Sequence, residues 1–145
     1  MKNEKFQIPH LPPTVKLIVV SKTEPAERIS EVYATGQRRF GENRVYDLSA
    51  KYLVLPKDIE WHFIGHLQTN KVKVIAPFID VIQSIDSLKL LCEVDKEASK
   101  YKRVINCLLE FYVASEETKY DLDLREAREI LSSEEYKGLK NVKIM

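Results

Sequence analysis

The sequence predicts an α/β protein built on a parallel β-sheet. Apolar runs typical of strands begin near residues 16, 38, 60, 80 and 104, and another begins near 141. A segment with helical spacing of its apolar residues follows each of the first five runs, and parallel strands need long crossovers of this kind. Two architectures fit: an open doubly wound sheet, or a (β/α)₈ barrel of which this chain supplies about five to six of the eight units.

Each predicted element in the first half of the chain has a signal of its own. The first strand, at 16–21, is an aliphatic run that we expect to be buried on both faces. Pro25 suits the first turn of the following helix, and Gly36 suits its C-terminus. The second strand is less apolar, and Pro56 ends the helix after it. The second and third strands are predicted at 38–43 and 60–66, and the helices after them at 45–55 and 67–76.

The second half of the chain continues the alternation. The fourth strand, at 80–84, precedes an amphipathic helix over Ser87–Tyr101. The fifth strand, at 104–113, is the longest apolar run. One helix is predicted from Asp123 to Tyr136, and the last residues of the chain look like the opening of a sixth strand.

Composition limits the class of protein. The chain has 145 residues, with 23 Lys and Arg against 22 Asp and Glu, and its net charge of +1 gives no reason to expect a nucleic-acid or anionic membrane partner. No apolar run has the length of a membrane span, and the N-terminus lacks the apolar core of a signal peptide. The two cysteines, Cys92 and Cys107, suit a reducing compartment, so we expect a cytoplasmic protein without disulfides.

Common cofactor and metal motifs are missing from the sequence. It has no G-x-G-x-x-G and no G-x-x-x-x-G-K-[ST], and its four glycines form no glycine-rich phosphate loop. No His/Cys pair has the spacing of a metal site. His62 and His66 would lie about 13 Å apart along a strand, too far for one ion. We therefore predict no metal site.

Polar side chains recur where each predicted strand ends. The carboxyl ends of parallel strands share one edge of the sheet, where ligands bind in such folds, so we expect these groups to lie together. Ordinary roles are open for each: Lys22 could reach solvent, and Asn43 and Asp86 could cap helices. The groups are Lys22; Glu42 and Asn43; His66, Gln68 and Asn70; Ser84 and Asp86; and Ser115, Glu117 and Lys119.

The most specific motif of the sequence is Glu60–Lys71, which reads E-W-H-F-I-G-H-L-Q-T-N-K. It resembles a motif of the pyridoxal phosphate homeostasis protein family (the YggS/PROSC family). Val19–Thr23, Phe40–Asn43, Ser84–Ser87 and Glu116–Lys119 are similar to further family elements. The resemblance extends over about residues 14–145, almost the whole chain.

The resemblance implies a fold and a cofactor. The fold is the barrel type of the alanine racemase N-terminal domain, with residues 1–145 as a single partial (β/α) barrel domain. The cofactor is pyridoxal 5′-phosphate, held as a Schiff base on Lys22. A Schiff base needs a neutral amine, which desolvation at a buried strand end favours. The same resemblance places Asn43 beside the cofactor and His66, Ser84 and Asp86 around the same mouth.

The family is understood to bind and deliver or buffer the cofactor, so we expect cofactor homeostasis rather than enzymatic turnover. Two alternatives stay open. One is an enzyme that uses pyridoxal phosphate, such as an amino-acid racemase or decarboxylase, although the sequence offers no clear second acid or base. The other is an α/β module without cofactor that acts through a protein partner.

The chain also departs from the family pattern. Tyr112 replaces a polar residue inside the fifth strand, and Asp121 stands where the family has glycine. The family's later S-M-G-M-S-x-D and R-x-G segments, which bind the cofactor phosphate, are absent. We therefore expect weak binding of the cofactor by this chain alone. We also expect self-association, because an unclosed barrel leaves sheet edges uncovered.

Overall fold

The computed structural model describes residues 5–111 and 122–145. These residues contain six strands that form one parallel sheet. The strands are β1 (Val19–Val20), β2 (Arg39–Glu42), β3 (Glu60–Phe63), β4 (Val81–Ile85), β5 (Ile105–Leu109) and β6 (Val142–Ile144). Their order in the sheet is the order of the chain, β1-β2-β3-β4-β5-β6.

The strand order decides between the two predicted architectures. An open doubly wound sheet reverses its order at a switch point. The order of the described strands has no reversal, and neighbours in sequence are neighbours in the sheet, as in a (β/α) barrel. The prediction of an incomplete barrel is therefore confirmed, and the open doubly wound sheet is excluded.

Helices cover one face of the sheet. The apolar sides of the second helix (Val45–Val54) and the fourth helix (Leu88–Lys100) share a buried cluster with Phe40 and Trp61, whose ring centroids lie 6.0 Å apart. None of the helices in the described ranges is long and apolar enough to cross a bilayer. The helices are α1 (Ala26–Tyr33), α2 (Val45–Val54), α3 (Val72–Ile75), α4 (Leu88–Lys100), α5 (Leu124–Ser132) and α6 (Glu134–Lys137), and a 3₁₀ turn over Thr69–Lys71 precedes α3.

The inner face of the sheet carries a chain of polar contacts. Successive residues of a strand point to opposite faces, so His62 points away from the helix-covered face where Trp61 packs. The His62 ring nitrogens lie 2.8 Å from Glu60 Oε1 and 2.9 Å from Gln83 Nε2. Glu60 also pairs with Arg39 across 3.3 Å. These contacts link β2, β3 and β4 on the face that a barrel encloses.

The prediction that the first strand is buried on both faces is wrong. β1 covers only Val19 and Val20, and Val20 is 52% exposed. Among the described strands β1 pairs only with β2, because it lies at one end of the sheet order. Within the described residues no strand covers the other edge of β1, and the Val20 side chain stays half exposed.

The prediction of one helix from Asp123 to Tyr136 is also wrong. Ser133 separates α5 from α6 and has an extended backbone, with ψ of 148°. Its hydroxyl donates to Ile130 O at 2.6 Å and accepts from Tyr136 N at 3.2 Å. One serine side chain therefore ends the first helix and caps the second, an alternative to continuous helix that serine often provides.

Candidate cofactor site

Lys22 follows β1 directly, at the carboxyl edge of the sheet. It lies in a tight turn in which Glu24 N donates to Ser21 O at 3.1 Å. Thr23 has a φ of +65°, which is rare for a β-branched residue. Lys22 is exposed, so the desolvation expected of a buried strand end does not apply to it. The turn presents its amine to solvent at the mouth of the partial barrel.

Asn43 follows β2 and is in close contact with the end of β3. A Cβ atom added at Gly65 would lie 2.7 Å from Asn43 Cβ and 2.8 Å from Asn43 O. Gly65 therefore allows an approach that no other residue would permit without moving Asn43. Gly65 was not among the predicted site residues, although a glycine at the end of a strand indicates such an approach.

His66 and Asp86 connect the ends of β3 and β4. His66 Nδ1 lies 3.3 Å from Asp86 Oδ2. The His66 side chain is 41% exposed, whereas that of Asp86 is 12% exposed. The carboxylate can therefore orient an imidazole ring whose other edge reaches the mouth.

Ser84 lies near the end of β4, where the pairing with β5 shifts register between Ile82 and Ile85. The residue is 1% exposed, and its hydroxyl has no hydrogen-bond partner among the residues that the structure describes. A buried hydroxyl without a partner is unfavourable by about 1–3 kcal/mol. Ser84 therefore keeps an unused hydrogen-bonding group near the end of β4.

Glu42 is not at the mouth with the other strand-end groups. It is 1% exposed, and its carboxylate accepts from Lys51 Nζ at 2.8 and 3.0 Å and from Ser21 Oγ at 2.5 Å. Lys51, on α2, was not among the predicted site residues. Nothing in the local pattern marks it, because its partners lie on β2 and at the end of β1.

Two clefts open beside these groups. The first, of about 420 Å³, lies between the start of α2 and the segment after β3, and the second, of about 340 Å³, lies between that segment and the start of α4. His66 lines both clefts, Asn43 lines the first and Asp86 the second. Arg44 and Lys71 line the first cleft together with Asp47, so the positive charges outnumber the negative ones there. Lys22 and Ser84 are not among the residues lining either cleft.

The donor set fits the cofactor that the sequence resemblance implies. Lys22 supplies an amine for an aldehyde, Ser84 supplies an unused hydroxyl, and the cations beside Asn43 suit an anionic group. The predicted groups Ser115, Glu117 and Lys119 lie outside the described residues, so their positions stay predictions.

Other chemistries have less support in the described ranges. Residues 5–111 and 122–145 contain no group of three His, Cys, Asp or Glu side chains that could hold a metal ion. Burial raises the pKa of the Cys107 thiol to about 12, which leaves it protonated at neutral pH. Burial, together with Glu135 and Asp95, also raises the pKa of Cys92. Neither thiol is a strong nucleophile.

Comparison with known proteins supports the sequence resemblance. A scan against protein-family models gives no match. The pyridoxal phosphate homeostasis protein of Aquifex aeolicus is 42% identical over 132 residues, which is 90% of this chain and 57% of that protein. The protein of the same name from Helicobacter pylori is 40% identical over 130 residues, 87% of this chain and 59% of that protein. The chain thus spans somewhat more than half the length of these relatives.

Solved structures agree with the sequence comparison. PipY of Synechococcus elongatus without pyridoxal phosphate is 38% identical and superposes with a TM-score of 0.85, over 92% of this chain and 62% of PipY. PipY with pyridoxal phosphate bound gives a TM-score of 0.82 over the same shares of the two chains. At this identity and coverage, both the partial barrel and the sequence resemblance are confirmed.

Proposed function

Because this chain is a partial-length member of the pyridoxal phosphate homeostasis protein family, we propose that it binds pyridoxal 5′-phosphate and acts in the homeostasis of that cofactor. Lys22 would carry the cofactor as a Schiff base. The relatives are named as homeostasis proteins, and we extend that role to this chain as a carrier that does not turn over a substrate. The cytoplasm, expected from the cysteine usage, is the proposed place of action.

The position of Lys22 carries the proposal. It stands at the carboxyl end of the first strand of a barrel that superposes on a PipY structure with pyridoxal phosphate bound. No residue in the described ranges is a hydrogen-bond or ion-pair partner of the Lys22 amine. An amine at this position can attack an aldehyde carbon, and water is the leaving group when a Schiff base forms.

The other four residues have proposed roles beside Lys22. Asn43, held against Gly65, would donate or accept through its amide at the cofactor. His66, oriented by Asp86, would present an imidazole edge, and Ser84 would use its unpaired hydroxyl. Each role rests on position at the same edge of the sheet and on the chemistry of the side chain.

Reductive trapping tests the role of Lys22. The purified chain is mixed with pyridoxal phosphate, reduced with borohydride and digested for peptide mapping. We expect one labelled site, Lys22, and loss of that label in Lys22→Met. Lys16→Met is the matched control, because Lys16 is also exposed and lies just before β1. Labelling spread evenly over exposed lysines, or unchanged in Lys22→Met, would contradict the proposal.

Turnover is tested separately with the same protein. The chain loaded with pyridoxal phosphate is incubated with single enantiomers of amino acids, and racemisation and decarboxylation are followed by chiral chromatography. The carrier role predicts no more turnover than pyridoxal phosphate alone produces. Turnover that Lys22→Met abolishes would instead establish an enzyme.

A further inference from the structure

We propose that Lys51 is a positioning residue for Lys22. Lys51 and Glu42 hold the turn that presents the Lys22 amine at the mouth of the partial barrel. This inference rests on the proposed role of Lys22 as the cofactor lysine. It assigns a task to the buried Glu42–Lys51 pair, which makes no contact with the two clefts.

The contacts of Lys51 connect three parts of the fold. Its Nζ donates to Glu42 Oε1 at 2.8 Å and to the backbone oxygen of Ser21 at 3.0 Å. Ser21 Oγ donates to the other Glu42 oxygen at 2.5 Å. The Lys51 side chain is 12% exposed and that of Glu42 is 1% exposed. The three residues, here named the Lys51 clamp, thus tie the end of β1 to β2 and α2.

Ser21, the member of the clamp next to Lys22 in the chain, is held by several hydrogen bonds. Ser21 N donates to Gly41 O at 2.9 Å, so the ladder between β1 and β2 fixes that end of the residue. Ser21 O accepts from both Glu24 N and Lys51 Nζ. The backbone N–H, the backbone carbonyl and the hydroxyl of Ser21 therefore all form hydrogen bonds. These bonds restrict the position of the Lys22 backbone, which follows directly.

The turn needs such support because its conformation is unfavourable. Lys22 and Thr23 are its two central residues, and the third position of a turn with positive φ usually holds glycine or asparagine. Threonine at a φ of +65° persists only where surrounding contacts impose it. The Lys51 clamp supplies contacts of this kind, because Ser21 O, the first carbonyl of the turn, accepts a charge-assisted bond from Lys51 Nζ as well as the bond from Glu24 N that closes the turn.

A variant that removes both charges separates positioning from folding. Removing one partner would leave a buried charge uncompensated, so the test uses Lys51→Met with Glu42→Gln. The matched control is Lys100→Met with Glu97→Gln on α4, where Lys100 Nζ lies 2.9 Å from a Glu97 that is 5% exposed. Both double variants lose one lysine–glutamate pair, but only the first touches the Lys22 turn.

The first readout needs no cofactor. Trypsin cleaves after Lys22 only when the turn opens, and hydrogen exchange at the Glu24 amide reports the same opening. We expect both rates to rise about tenfold in the clamp variant and to stay unchanged in the α4 control, because a hydrogen bond to a charged group contributes about that factor. Equal rates in the clamp variant and the original chain would overturn the inference.

The second readout is borohydride trapping of pyridoxal phosphate at Lys22. We expect slower labelling in the clamp variant, with recovery when Thr23→Gly is added, because glycine adopts the required φ without support. If the original chain is not labelled at Lys22, the proposed function fails. The rates of trypsin cleavage and hydrogen exchange still show whether the Lys51 clamp holds the turn. Loss of labelling that Thr23→Gly does not restore, with lost circular dichroism, would show a purely structural role and overturn the inference.

Discussion

At the scale of single residues, the site depends on which side chains lack an ordinary partner and which ones have one. Lys22 faces solvent in a strained turn, and Ser84 has a buried hydroxyl that no described residue satisfies. Glu42, which also ends a strand, is neutralised by Lys51 and bonded by Ser21. All three lie at or near strand ends, and only the tertiary contacts show that Glu42 has side-chain partners that Lys22 and Ser84 lack among the described residues.

Substitution of Gly65 tests the close approach of β3 to Asn43. Gly65→Ala would place a Cβ atom 2.7 Å from Asn43 Cβ, so Asn43 must move. We expect a lower rate of Lys22 labelling by pyridoxal phosphate, by roughly tenfold, if Asn43 acts at the cofactor. Gly138→Ala is the matched control, because its nearest atoms would lie 3.5 Å away. Equal labelling in the two variants would argue against a role for Asn43.

The pH dependence of stability tests the environment of Asp80. Burial raises the pKa of this carboxyl above its ordinary value of 3.8, although Oδ2 accepts from Trp61 N at 2.8 Å. A raised folded-state pKa contributes stability below the unfolded pKa, and that contribution is lost as pH rises through the folded pKa. Asp80→Asn keeps an acceptor without a charge. We expect the Tm of Asp80→Asn minus the Tm of the original chain to be larger at neutral pH than at acid pH. The same difference in Tm at both pH values would contradict this.

At the scale of helices and strands, hydrogen bonds from polar side chains fix the ends of helices that the spacing of apolar residues does not determine. The helix predicted over Ser87–Tyr101 is observed as α4, Leu88–Lys100, with Ser87 as its N-cap. The helix predicted over 67–76 is shorter, because a 3₁₀ turn occupies Thr69–Lys71 before α3. Ser133 divides the last predicted helix. Apolar spacing thus identifies which segments are helical, and side-chain bonds to the backbone decide where they stop.

Removal of the Ser87 cap measures one such contact. Ser87 Oγ accepts from Leu90 N at 3.0 Å at the start of α4. We expect Ser87→Ala to lower the free energy of unfolding by about 1 kcal/mol, measured by urea unfolding with Trp61 fluorescence. Ser99→Ala is the comparison, because Ser99 lies near the other end of α4 and its hydroxyl only donates to Lys96 O. A Ser99→Ala loss as large as that of Ser87→Ala would contradict the capping role.

At the scale of the whole molecule, the sheet is a barrel that does not close within the described residues. β1 pairs only with β2 and β6 only with β5 among the described strands, so each has one edge without a strand beside it. The inner face carries the polar chain through Glu60 and His62. That residues 1–145 form one domain stays a prediction, which coincident unfolding transitions by circular dichroism and fluorescence would support.

We expect those edges to cause self-association. We expect light scattering to give a mass above that of one chain, rising with concentration, because unpaired parallel edges can pair with a second copy. Val20→Lys places a charge on β1, where Val20 is 52% exposed, and should lower the measured mass. Leu53→Lys is the control, since Leu53 is 73% exposed on α2. A monomer at every concentration would contradict the prediction.

The sequence by itself determined the alternation of strands and helices, the strand-end positions of Lys22, Asn43, His66, Ser84 and Asp86, and the family resemblance. These features depend on short-range patterns: apolar periodicity, turn residues and contiguous motifs. Only the tertiary structure decided between a partial barrel and an open sheet, and only it showed that β1 is partly exposed. The contact of Gly65 with Asn43 and the hydrogen bond of Lys51 to Ser21 are also features of the tertiary structure alone. The physical reason is that strand order, burial and buried ion pairs are set by contacts between segments far apart in the chain, which no local pattern encodes.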